Sequence, residues 1–214
     1  MIEAVIFDFD GVVADTMADN YAAWQHAFAA FNFSVDPHEY YKLEGMGRYQ
    51  IATHFITTYN LDPAIKEEIV TTKELFYKNN NTFKIYDEIE YIFELLKHKN
   101  IPIAVVTGAS KARIEDHFEP RLVAQLSALV TADDVVNTKP HPEPYLNAIT
   151  KLNKNVANCM VIENAILGIQ SAKAAGCKCF ALETTLPKEE LNLADEVFAT
   201  HAALLSRLQT IFEK

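Results

Sequence analysis

Short, uniformly apolar runs punctuate this chain: Ala4–Phe7, Ile103–Val106, Ala128–Val130, Cys159–Ile162 and Cys179–Leu182. Each is too short for a helix, and β-branched residues dominate three of them, so all five are predicted strands. Between them lie segments with helical spacing. Ile89, Ile92, Phe93 and Leu96 form one such set, and Tyr145, Leu146 and Ile149, after Pro142–Pro144, form another. A strand without polar alternation has no wet face. Strands of this kind alternating with helices predict an α/β fold, a parallel sheet covered by helices on both faces. Val197–Ala199 is expected to add an edge strand, followed by a closing helix over His201–Phe212.

One segment breaks the alternation. From Thr16 to Tyr86 the pattern is helical throughout, with Tyr21, Trp24, Phe28 and Phe31 on one face and Asp62-Pro63 opening a further helix. These 71 residues carry 14 of the 23 aromatic residues, enough for an apolar centre of their own. The expected organisation is therefore an α/β core of residues 1–15 and 87–214 with an all-helical insertion, residues 16–86. The linkers fall near Asp15–Thr16 and Tyr86–Glu88.

Composition narrows the class. The chain has 214 residues, half of them apolar, which suits one domain of roughly 100–200 residues carrying a smaller insertion. Acidic residues outnumber basic ones 29 to 19, for a formal charge of −10. A chain so charged repels polyanions, so neither nucleic acid nor an anionic membrane is an expected partner. No apolar stretch approaches the roughly 18 residues of a membrane span. Cys159, Cys177 and Cys179 show no disulfide spacing, and the N-terminus shows no basic region of a secretory leader. The expected location is cytoplasmic. Oligomeric state leaves no signal in the sequence.

Candidate chemistry collects at the strand ends. The first run leads into Asp8-Phe9-Asp10-Gly11, the second into Thr107-Gly108, the third through a loop to Lys139-Pro140, and the fourth into Glu163-Asn164. Open parallel sheets bind ligands beyond the carboxyl ends of their strands. Each piece alone has an ordinary reading: an Asx turn for Asp8 and Asp10, a tight turn for Thr107-Gly108, a solvated lysine, and a helix cap at Asn164 before a helix from Ala165. A calcium loop does not fit, because the glycine comes too early and no later Glu is in register. Two neighbouring carboxylates after a buried strand are costly without a compensating cation. The joint arrangement is what points to a site.

Taken together, Val5-Ile6-Phe7-Asp8-Phe9-Asp10-Gly11-Val12 through Asp15-Thr16 resembles the first motif of haloacid dehalogenase-like hydrolases. Val105-Val106-Thr107-Gly108 is similar to their second motif and Lys139-Pro140 to their third. Val161-Ile162-Glu163-Asn164 through Gly168, Ala172 and Ala174-Ala175-Gly176 is similar to their fourth. The resemblance is to the subgroup with a helical cap after the first motif, which includes small-molecule phosphatases and β-phosphoglucomutase. It implies a Rossmann-like sheet and a Mg²⁺-dependent phosphatase for a small phosphomonoester, with sugar phosphates among the candidates. A β-phosphoglucomutase-like phosphoryl transferase is the main alternative, and a weakened phosphate-binding protein a further one.

By the same resemblance Asp8 is the nucleophile that forms an aspartyl phosphate, and Asp10 the general acid and base. Thr107, Gly108 and Lys139 hold phosphoryl oxygens. Mg²⁺ would be bound by the Asp8 carboxylate, the Asp10 carbonyl and a side-chain oxygen of the Glu163–Asn164 pair. Gly45-Met46-Gly47-Arg48 resembles the cap loop facing the site, and Lys73 stands where a second cap cation occurs; solvated helix surface is the competing reading for Arg48 and Lys73. Three positions depart from the pattern. Asn164 stands where Asp is usual, Asn20 where mutase-like members tend to carry His, and Asp87-Glu88 where Pro-Gly is common. His141 is expected to be an ordinary loop histidine.

Overall fold

A computed structural model describes residues 1–212. Six strands form one wholly parallel sheet: β1 (Ala4–Asp8), β2 (Ile103–Val106), β3 (Ala128–Val130), β4 (Cys159–Glu163), β5 (Lys178–Leu182) and β6 (Glu196–Phe198). Their order is β3-β2-β1-β4-β5-β6, so the chain reverses direction of travel across the sheet between β1 and β4. That switch point is where the crevice opens. The register places Phe7 beside Val105 and Ile162, and Asp8 beside Val106.

Both faces of the sheet are dry, which is why the strands lack alternation in the sequence. Val5, Phe7, Ile103, Val105, Met160, Ile162, Phe180 and Leu182 face one cluster. There they meet Ile89, Ile92, Phe93 and Leu96 of α5 (Asp87–His98), Ile114 of α6 (Lys111–His117), Leu122 of α7 (Pro120–Val123), and Leu204 and Leu208 of α10 (His201–Phe212). Ala4, Ile6, Ala104, Val106, Val161, Cys179 and Ala181 face the other cluster, against α8 (Glu143–Leu152) and α9 (Ile166–Ala174). The three cysteines are free and buried, and all lie in this second core. Among the described residues no helix is long and apolar enough to cross a membrane.

Helices α1 (Met17–Ala29), α2 (Pro37–Lys42), α3 (Arg48–Thr58) and α4 (Lys66–Asn80) stand over the carboxyl ends of the strands. They enclose a separate aromatic-rich core of Trp24, Phe28, Tyr40 and Phe55 with Ile69. Asp62 accepts from Ala64 N at 2.9 Å and opens a 3₁₀ turn, Pro63–Ile65, before α4 begins. Two connections tie this layer to the sheet and run side by side. Asp15 N donates to Lys84 O at 2.8 Å, and Tyr86 N donates to Val13 O at 3.1 Å. Asp87 and Glu88 lie in the first turn of α5, where negative charge suits the helix dipole.

Candidate active site

Burial at a strand end forces Asp8 into company. Lys139 Nζ donates to Asp8 Oδ1 at 2.5 Å and to Glu163 Oε1 at 2.6 Å, and Lys139 itself is 3% exposed. Burial works against the ammonium, but the two carboxylates outweigh it and hold Lys139 charged. Asp8 remains under-compensated. Burial, with Glu163 and Asp10 nearby, pushes its pKa up to about 7 against the pull of Lys139. Two carboxylates on one ammonium, with Asp10 near Asp8, leave room for a further cation.

Glu163, which the sequence offered with Asn164 as a metal ligand, is engaged by protein groups in this structure. Its Oε1 also accepts from Tyr145 OH at 2.7 Å, and its Oε2 accepts from the backbone N–H groups of Asn164 and Ala165 at 2.8 and 3.0 Å. Both oxygens are spent behind Lys139, in a position with no exposed surface. Asn164 differs. Its Oδ1 is buried with no hydrogen-bond partner, and its Nδ2 lies 3.4 Å from Thr185 Oγ1. Nor does Asn164 cap the next helix, because α9 starts at Ile166 with Ala165 at the cap position. An orphaned amide oxygen near the buried, under-compensated Asp8 carboxylate is the donor set a hard cation takes. Among the described residues no three His, Cys, Asp or Glu side chains converge on a metal position, so the fit depends on this amide and on a backbone carbonyl. The loop after β1 supplies the latter. Its hydrogen bonds from Val12, Val13 and Ala14 converge on Phe9 O rather than on the Asp10 carbonyl. Gly11 adopts φ +81°, and a Cβ there would come within 2.2 Å of Asn164 Nδ2.

Thr107 follows β2, is 4% exposed, and accepts the Ala109 N–H at 3.0 Å, which leaves its hydroxyl proton free to donate. Gly108 lies against the loop before α3: a Cβ on it would be 3.4 Å from Met46 O. Gly45, at φ +96°, lies closer still to Lys139, whose Cδ would be 3.0 Å from a Cβ there. The loop Gly45–Arg48 thus closes over the strand ends. Beneath it is a cavity of about 40 Å³ whose walls include Asp8, Asp10, Arg48, Lys73 and Gly108. Lys73 is not solvated surface. It is 3% exposed and donates to Glu74 at 2.9 Å and to Asn20 Oδ1 at 3.2 Å. His141 is an exposed loop residue that accepts from Glu143 N at 3.1 Å.

Two wall residues escaped the sequence reading. Arg113, on α6, pairs with Asp10 across the crevice. Glu44 has its carboxyl pKa pushed up to about 8 by burial and by Asp10, with Lys73 opposing. Helical spacing marks a surface arginine and a loop glutamate as ordinary; nothing local distinguishes them.

A doubly wound sheet with a lysine-braced aspartate at its switch point, beneath an inserted helical layer, defines a hydrolase class, and the comparisons specify it. The model of the haloacid dehalogenase-like hydrolase family matches residues 5–182. A Haemophilus influenzae protein described as uncharacterized is 31% identical over 186 residues, spanning 85% of this chain and 92% of that one. The fructose-1-phosphate phosphatase of Escherichia coli is 28% identical over 182 residues, 80% of this chain and 92% of its own. The crystal structure of β-phosphoglucomutase from Clostridium difficile aligns with a TM-score of 0.84 at 27% identity, covering 100% of this chain and 98% of that one. The chain belongs to the haloacid dehalogenase-like hydrolases. Within that family it falls among the phosphatases and phosphotransferases, and its enzymatic class is phosphoric monoester hydrolase.

Proposed function

We propose that the chain is a Mg²⁺-dependent phosphatase that hydrolyses a small phosphomonoester, with sugar phosphates as the favoured class, through an aspartyl phosphate on Asp8. The observation that carries this reading is the convergence of Asp8, braced by buried Lys139, with Asp10, Arg48 and Lys73 on one small cavity. Asp8 attacks phosphorus as the bond to the leaving oxygen breaks, and Asp10 donates a proton to that oxygen. Water then attacks the phosphorylated Asp8, Asp10 takes its proton, and inorganic phosphate leaves. Thr107 hydroxyl, Gly108 N–H and Lys139 hold the equatorial oxygens where charge builds up. Mg²⁺, held by the Asp8 carboxylate, the Asp10 carbonyl and Asn164 Oδ1, would supply positive charge to the phosphoryl group. Residues 16–86 act as a mobile cap on a core of 1–15 and 87–214, with Arg48 and Lys73 binding the non-phosphoryl part of the substrate. The cytoplasmic location expected from the sequence is part of the same reading and agrees with three free cysteines.

A phosphomutase of the β-phosphoglucomutase kind would use the same groups but return the phosphoryl to a sugar hydroxyl. A panel of phosphorylated metabolites assayed with and without Mg²⁺ separates the two readings. Metal-dependent release of inorganic phosphate is expected for at least one small ester, and Asp8→Asn should lower turnover at least 10³-fold with the fold intact by circular dichroism. Isomerised sugar phosphate without net phosphate release would replace the phosphatase reading with the mutase. Full activity in Asp8→Asn would remove the covalent intermediate.

A further inference from the structure

Asp10 is held in an unusual way for a group that must exchange a proton. Thr16 Oγ1 donates to its Oδ1 at 2.5 Å, Asn20 Nδ2 donates to the same oxygen at 3.1 Å, and Arg113 Nη2 pairs with it as well. Three donors on one oxygen exhaust its acceptor capacity. No protein group among the described residues falls on Oδ2. The two oxygens of one carboxylate are thus made unequal, one locked and one without a protein donor, on a residue that lines the cavity.

Arg113 is the donor that belongs to the core, and it is itself fixed from several sides. Its backbone N–H is accepted by Ser110 Oγ at 3.4 Å, the side-chain cap of α6. Its Nη1 donates to Asn20 Oδ1 at 3.3 Å and its Nη2 to Tyr77 OH at 3.3 Å. The guanidinium also lies 4.2 Å from the centre of the Tyr77 ring, at cation–π distance. Asn20 comes from α1 and Tyr77 from α4, so one planar cation touches the sheet-end carboxylate and two helices of the overlying layer together. Its side chain is only 11% exposed. Asn20 completes the network: its amide nitrogen points at Asp10 and its carbonyl oxygen accepts from both Arg113 and Lys73.

We infer that Arg113 is a positioning residue for proton transfer: together with Thr16 and Asn20 it locks Oδ1 of Asp10, so that Oδ2 alone meets the leaving oxygen. This rests on the reading of Asp10 as the acid and base of the phosphatase. An arginine fork suits the task better than lysine, because planar donors reach Asp10, Asn20 and Tyr77 simultaneously. Since Asn20 and Tyr77 lie on the helical layer, the lock is complete only when that layer is docked as seen here.

The test compares leaving groups. Arg113→Met keeps the stem and removes the fork; Arg113→Lys keeps the charge and loses the simultaneous contacts. Specificity constants are measured on a sugar or alkyl phosphate, whose leaving oxygen needs a proton, and on p-nitrophenyl phosphate, which needs little. Arg113→Met is expected to lose about 10–100-fold on the alkyl ester and under about threefold on the aryl ester, within the ~10²–10⁴-fold range of general acid catalysis. Arg113→Lys should show a smaller difference of the same sign. In Asp10→Asn, adding Arg113→Met should produce no further difference between substrates, because residues acting as a unit are non-additive. If Arg113→Met lowers both substrates equally, or if the double variant adds a second full loss, the positioning role is overturned. If Asp10→Asn itself fails to discriminate between leaving groups, the failure lies in the acid–base assignment instead. Should Arg113→Met fold poorly, Arg113→Lys carries the same comparison, and equal losses there overturn the inference too.

Discussion

Asn164 presents an amide where a charged oxygen would hold a divalent cation more firmly. Its Oδ1 is buried and unpartnered, and Gly11 gives it space by leaving no Cβ in the way. Replacing it with Asp adds a full negative charge at an oxygen already in place. Asn164→Asp is therefore expected to lower the Mg²⁺ concentration for half-maximal activity about tenfold, equal to ~1.4 kcal/mol. Turnover at saturating metal should change little, since Asp8 and Lys139 are unaltered. A Mg²⁺ titration that does not move would remove Asn164 from the metal's coordination shell; helix capping does not compete as an explanation, because Ala165 and not Asn164 stands at the cap position of α9.

At the scale of elements, the packing of α9 on the end of β4 decides where Glu163 can stand. A Cβ on Gly168 would lie 1.7 Å from Glu163 Oε1 and 2.0 Å from its Cδ. The helix can approach this closely only because that residue is glycine. Glu163 in turn holds Lys139 and Tyr145, so the helix position is transmitted to Asp8 through Glu163 and Lys139. Gly168→Ala should cost roughly 1–3 kcal/mol from overpacking and should lower kcat by more than tenfold as Lys139 loses its anchor. Thermal denaturation and steady-state kinetics check the two parts separately. Unchanged kcat alongside a lowered Tm would mean that Glu163 can move without disturbing Lys139.

For the whole molecule, the helical layer over the strand ends gathers partly buried carboxyl groups close together. Glu44 has a folded pKa of about 8 against an ordinary 4.5, through burial and the nearby Asp10 and Asp8, with Lys73 and Arg113 opposing. Such a group binds a proton in the folded state that the unfolded state has already released. Its contribution therefore becomes unfavourable as pH rises from about 4.5 to about 8. Asp8 acts in the same direction up to about 7, whereas His201, with its pKa lowered by burial, works the opposite way below its ordinary value. The comparison with Glu44→Gln isolates the one term. In Mg²⁺-free urea titrations at pH 5, 6, 7 and 8, the wild type should lose stability relative to Glu44→Gln across this range. Parallel curves would show that Glu44 stays open to water in the folded protein.

Strands and their burial were legible because both faces of a parallel sheet are dry, so the pattern of uniformly apolar runs is set locally by composition. The closing helix over His201–Phe212 and the aromatic-rich helical insertion followed for the same reason: each buries a stripe that its own spacing defines. The residues at the strand ends were legible as well, since the topology of such a sheet brings its carboxyl ends together whatever the details. What the sequence could not contain is which oxygen meets which donor. Glu163 and Asn164 are adjacent and chemically similar, yet one is consumed by Lys139, Tyr145 and two backbone N–H groups while the other is left with a free oxygen. Arg113 lies 103 residues from Asp10, on a helix whose periodicity marks it only as polar. Only the tertiary structure decided these partnerships, the packing of the core around Glu163 and the docking of α1 and α4 around Arg113, because hydrogen bonds and ion pairs depend on distances of a few ångströms that no local pattern of residues encodes.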